Sequence, residues 1–218
     1  RYGGEGTTVA LNDGGDNQDD VQVLTLPFTF RMYGQAYNQI SVCSNGWVSM
    51  GATTLNSFRN YRLPGPGGPS PMIAVFWDDL VQSNGGLIYK WYDVDNHRYI
   101  IQWSGLRTFD KNDSETFQLI LMDPAYSYTP TGDGEIRIQY KDFNNTSSGQ
   151  YSWSQVHGNY ATVGIEDQTG TIGIEYTFDN QYRLTAMPLQ DSTAILITTR
   201  GSDILSKGDI NFDKNIDI

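Results

Sequence analysis

Apolar and polar residues alternate with a period of two along most of the chain. Val21-Gln22-Val23-Leu24-Thr25-Leu26 alternates, Pro27 ends or edges that run, and Phe28-Thr29-Phe30-Arg31-Met32-Tyr33 alternates again. Residues 39–42 and 46–50 read as two strands meeting at Ser44-Asn45-Gly46, because Asn and Gly tolerate the positive φ of a tight turn. Residues 63–71 hold four prolines and three glycines, which no central strand accommodates. They form a loop, followed by the continuous apolar run Met72-Ile73-Ala74-Val75-Phe76-Trp77, the pattern of a strand buried on both faces. The clearest hairpin spans residues 86–105, with its turn at Asp93-Val94-Asp95-Asn96. Further strands are predicted over 116–122, 135–140, 161–166, 172–178 and 194–199, with polar loops at 124–134 and 144–159.

No stretch of eleven or more residues carries a helical stripe free of Gly and Pro. About eleven strands without crossover helices imply antiparallel pairing. The expected fold is all-β: an antiparallel β-sandwich, jelly-roll-like, with little or no helix. The expected domain division is a sandwich over 1–200 and a connector with a truncated calcium-type loop over 201–218.

Composition narrows the function classes. The 218 residues carry a formal charge of −11, and the 14 basic residues are scattered, so the clustered cations that displace counterions from nucleic acid are missing. No apolar run approaches the ~20 residues of a membrane-spanning helix, so the chain is not expected to span a membrane. Charged residues make up only 18% against 23 glycines and 14 tyrosines, a balance that suits extracellular β proteins. The lone cysteine, Cys43, lies in a β-type stretch and is expected to be a buried, inert thiol. The opening Arg1-Tyr2-Gly3 carries no signal peptide and reads as a processed or internal edge.

Several phrases then belong together: Leu26-Pro27-Phe28-Thr29-Phe30, Tyr33-Gly34, Tyr37, residues 40–49 through Ser44-Asn45-Gly46-Trp47, and Ile73-Ala74-Val75-Phe76-Trp77-Asp78-Asp79-Leu80. Glu115 to Leu121, Gly132 to Ile136 and Val163 to Glu166 extend the series. It resembles the β-sandwich accessory domain of large secreted bacterial proteins, some carrying gingipain-type peptidase domains or type IX secretion tails. It is similar, more distantly, to the nidogen-type extracellular domain. The resemblance covers roughly residues 20–200 and implies a secreted or cell-surface location and a non-catalytic module. Physically, Phe28, Phe30, Trp47, Phe76 and Trp77 read as core packing.

Candidate chemistry is sparse. Asp209, Asn211, Asp213, Asn215 and Asp217 alternate oxygen-bearing side chains in the manner of a calcium loop, since a hard cation needs six to eight oxygens. The segment resembles the first half of a dockerin repeat, with Lys214 where that pattern wants Gly and no twelfth-position carboxylate in the sequence. As it stands this loop is expected to bind calcium weakly or not at all; a plain acidic tail is the other reading. Asp16, Asp19, Asp78 and Asp79 are candidates for a second cation site. The competing readings are a solvated loop for residues 12–20 and, for Asp78-Asp79, carboxylates accepting backbone N–H groups at a strand end. Tyr126, Tyr128, Tyr151 and Trp153 are candidate ring platforms for a glycan. His97 and His157, the only histidines, lack any nucleophile motif, and three His and Cys residues in all make a zinc site improbable.

The functional expectation is a non-catalytic structural or adhesive module of a larger secreted protein. Other domains of that parent, further copies of the chain or another cell-surface protein are its partners. A carbohydrate-binding module is the alternative, and a glycoside hydrolase the remote third.

Overall fold

The computed structural model describes residues 6–15, 18–151 and 154–200. Two antiparallel sheets make a sandwich. In chain order the strands are β1 (Thr7–Thr8), β2 (Val21–Met32), β3 (Gln35–Cys43), β4 (Trp47–Met50), β5 (Met72–Trp77), β6 (Leu80–Val81) and β7 (Leu87–Asp93). They continue with β8 (Arg98–Thr108), β9 (Ser114–Met122), β10 (Ile136–Asp142), β11 (Thr162–Glu166), β12 (Gly173–Phe178), β13 (Gln181–Tyr182) and β14 (Ala194–Ile197). The first sheet runs β1-β7-β8-β9-β10-β14 with β6 beside β8, and the second runs β13-β12-β11-β5-β4-β3-β2. One 3₁₀ turn, Ser83–Gly85, is the only helical element among the described residues.

The all-β sandwich read from the alternation is what the chain forms, with fourteen strands in place of about eleven. The surplus is three two-residue strands, β1, β6 and β13, too short to leave a periodic trace. In the other direction, the two runs on either side of Pro27 are one twelve-residue strand, β2. Its pairing with β3 slips between Thr25 and Phe30, an irregularity that accommodates a residue without an amide hydrogen at a sheet edge.

Inward side chains of both sheets form one core. Phe30, Ile40, Val42, Val48, Phe76, Trp103, Phe117, Leu119 and Ile138 are essentially inaccessible. Phe117 stacks on Phe76 at 5.3 Å and on Trp103 at 5.1 Å, welding the two layers. β5 is buried on both faces, as its unbroken apolar run requires. Its outer face, with Trp47, Met72, Ala74, Trp77, Cys43 and Leu63, forms a second cluster. The loop over 52–71 closes that cluster: the indole N–H groups of Trp47 and Trp77 both donate to the Ser57 carbonyl, at 2.9 and 3.0 Å. Glu166 pins the same loop by accepting from Gly65 N and Ser70 Oγ. Cys43 is fully buried, and burial pushes its thiol well above the ordinary range.

Gly46 shows why the Asn-Gly turn is obligatory. Its φ is +74°, its carbonyl accepts from Val75 N and Phe76 N, and a Cβ there would fall inside the Phe76 carbonyl oxygen.

Candidate functional site

Polar side chains concentrate at one end of the sandwich, where β5 ends and the β8–β9 turn and the 144–160 loop meet. Asp78 follows β5 directly and is wholly buried. Its Oδ1 accepts from Asp79 N at 2.8 Å and from Ser147 Oγ at 3.2 Å. The His157 Nδ1 lies 3.5 Å from the same oxygen. His157 is buried too, and its Nδ1 has the Gly158 carbonyl at 2.9 Å and Asn60 Oδ1 at 3.1 Å. Both are acceptors, so Nδ1 carries the hydrogen and Nε2 is the bare acceptor.

Neighbouring carboxylates serve the same loop. Glu115 accepts from Asn144 N and Asn145 N at 2.9 and 3.1 Å, and Asp110 accepts from Ser148 N and Oγ at 2.8 and 3.0 Å. Asp113 accepts from Thr146, and Asp79 from the Tyr151 hydroxyl. Asn145 closes the cage by accepting from Ala161 N at 2.8 Å. Burial pushes the Asp78 carboxyl well above the carboxylate range, and burial raises Glu115 to about 8 although two backbone N–H groups oppose it. Burial lowers the His157 imidazole below its ordinary value.

Chemically this is a latch. Ser147 donates to Asp78 and not to the imidazole. Asp78 and Asp79 are both buried, although neighbours on a strand would point to opposite faces; β5 stops at Trp77, and the chain bends before the pair. At this strand end Asp78 accepts from a backbone N–H and a hydroxyl, and Asp79 from a tyrosine hydroxyl.

The other cation candidates fall differently. Asp19 Oδ1 accepts from Asn45 Nδ2 at 2.8 Å, tying the 18–20 segment to the β3–β4 turn. Asp13 is buried beside Ser44, and burial raises its carboxyl to about 6. Asn45 also links the β3–β4 turn to the strand end, its carbonyl accepting from Asp78 N at 3.4 Å. No three His, Cys, Asp or Glu side chains among the described residues converge to hold a metal. Asp16, Asp209, Asn211, Asp213, Asn215 and Asp217 lie outside the described residues.

The aromatic candidates divide between the two ends of the molecule. Tyr151 belongs to the latch, its ring edge-on to Phe109 at 5.3 Å and to His157 at 6.1 Å. Tyr126 and Tyr128 lie at the far end of β8, 67% and 75% exposed. The intervening strand has eleven residues, roughly 33 Å at ~3.3 Å each, so these rings cannot share one ligand. Tyr126 stacks on His97, with centroids 3.4 Å apart and planes 4° from parallel. Trp153 lies outside the described residues. Sequence reasoning missed His157, Ser147, Asn60, Asp110 and Glu115 as a group, because the partners are far apart in the chain and no local motif joins them.

The profile of the family described as NIDO related matches residues 2–202. The chain belongs to the NIDO-related family. That assignment fits a non-catalytic extracellular module, and it covers the whole sandwich. No curated protein and no solved structure matches this NIDO-related chain significantly. No helix among the described residues is long and apolar enough to cross a membrane.

Proposed function

We propose that this NIDO-related domain is a non-catalytic structural or adhesive module of a larger secreted protein, working outside the cell or at its surface. The observation that carries the reading is the use made of the polar end. The Asp78, Asp110, Asp113 and Glu115 carboxyl groups there accept hydrogen bonds from Ser147, Ser148, Thr146, Asn144 and Asn145 of the 144–160 loop. A module of this kind works through its surface, held rigid by such latches.

A second reading, carbohydrate binding, draws support from Tyr126 and Tyr128. Their loop is fixed by Asp123, which accepts from Ala125 N, and by Glu135, which accepts from the Ser127 hydroxyl. Rings presented from a braced loop suit the C–H faces of a sugar. Binding of the fluorescently labelled chain to a glycan microarray and to bacterial and host cell surfaces tests both readings. Surface binding without glycan selectivity fits adhesion. Glycan binding lost in Tyr126→Ala and Tyr128→Ala fits the second reading. Hydrolysis of any arrayed glycan would sink both.

A further inference from the structure

One lateral side of the sandwich is open. Among the described residues, β14 is the last strand of the first sheet and has β10 as its one neighbour. Every second N–H and C=O along it therefore faces away from β10. Between β14 and the facing strands β11 and β12 of the second sheet lies a cleft of about 260 Å³, lined by Ile138, Val163, Ile174, Tyr176, Ile195 and Ile197. Ile174 shows that no described strand covers this cleft. It sits opposite the core residue Ile165 in the β11–β12 ladder and so faces inward, yet it is 53% exposed. Inward apolar area is left in water there, which opposes the burial that drives folding.

A free strand edge beside an apolar cleft takes an extended segment, which pairs with the edge and turns alternate side chains inward. The sequence supplies one close by. β14 ends at Ile197, and residues 201–218 follow Arg200. Within them Ile210, Phe212, Ile216 and Ile218 alternate with aspartates and asparagines. On an extended chain the apolar set shares one face with Lys214, and the acidic and amide set shares the other. Charge agrees with this pairing. The cleft lining carries no charged side chain, and Arg137 lies on the outer face opposite Leu196, on the side that the aspartates would take. Length agrees too. Residues 198–208 can span up to about 36 Å when extended, and the four residues of β14 cover roughly 13 Å. The chain can thus turn back antiparallel to β14, and the tether keeps the segment at a high local concentration.

We propose that residues 209–218 pair with the free edge of β14 in the same chain, with Ile210 and Phe212 filling the cleft against Ile174 and Tyr176 and the aspartates outward beside Arg137. The added strand closes the sandwich and covers an edge that would otherwise template pairing between copies. The inference goes beyond the extracellular-module reading, which stands whichever way the test falls. A segment wrapped around a calcium ion cannot also lie extended along β14, so the test is run in a calcium chelator.

Hydrogen exchange of the full chain is compared with that of Phe212→Asp. The proposal expects amides of residues 194–197 to exchange at least tenfold faster in the variant, while β8 and β9 keep their protection and so report an intact sandwich. Equal exchange of residues 194–197 in the two chains overturns it. Cross-linking supplies the second measurement. Two double variants, Ile174→Cys with Phe212→Cys and Ile174→Cys with Ile210→Cys, are oxidised; Cys43 is fully buried and stays out of the reaction. At least one pair should close a disulfide within a single chain, running as a monomer on a non-reducing gel. No disulfide in either pair overturns the proposal. A disulfide that only joins two chains also overturns it, and assigns the cleft to a second copy.

Discussion

At the scale of single residues, the fold depends on groups whose ionisation is governed by burial. Burial holds Glu115 protonated up to about 8, against an ordinary 4.5. The unfolded chain ionises first, so this residue's contribution to stability is present below about 4.5 and is lost as pH rises to about 8. His157 works in the opposite sense. Its folded value lies below 6.5, so stability is lost as pH falls through 6.5, where the unfolded chain binds the proton more readily. Glu115→Gln is uncharged throughout and should flatten the loss between about pH 5 and about pH 8. Urea midpoints of the parent and variant at those two pH values measure it, and parallel slopes would refute the assignment. Gly46→Ala tests the backbone: a positive φ and a collision with the Phe76 carbonyl should cost at least about 2 kcal/mol in a denaturant titration.

Elements were legible in the sequence where periodicity is long and clean. β5 announces itself as a strand buried on both faces, and the 86–105 hairpin appears as β7 and β8 in full register from Leu87 opposite Ser104 to Asp93 opposite Arg98. The reason β5 has a second buried face was not legible. The 52–71 loop folds over Trp47 and Trp77 through a single carbonyl of Ser57, and proline content says only that the segment is not a strand. At Pro27 the sequence left open an end or an edge, and the edge is what forms. Alternation continues through it, because an edge strand can spare one amide and shift register instead of ending. The 144–160 loop showed only its polarity. Its anchors, Asp78, Asp110, Asp113 and Glu115, come from the residue after β5, from β9 and from the β8–β9 turn, so three-dimensional convergence was needed to find them.

Across the whole molecule, the two-layer architecture follows from alternation and from the lack of helical stripes, and membership of the NIDO-related family fits it. The candidate site was only partly legible. Asp78 and Asp79 were singled out as carboxylates that hold a cation or accept backbone N–H groups at a strand end, yet the histidine beside Asp78 lies 79 residues further along the chain. The sandwich also separates Tyr126 and Tyr128 from Tyr151 along the length of β8, where sequence proximity had grouped them. The central claim is that the polar end is a latch for the 144–160 loop. Hydrogen exchange of the parent chain and Asp78→Ala tests it most directly. Removing the carboxylate deprives Asp79 N and Ser147 Oγ of their acceptor and His157 of its neighbour. Amides of residues 144–160 should then exchange at least tenfold faster while those of β8 and β9 keep their protection. Unchanged exchange in the loop, with both sheets still protected, would contradict the claim.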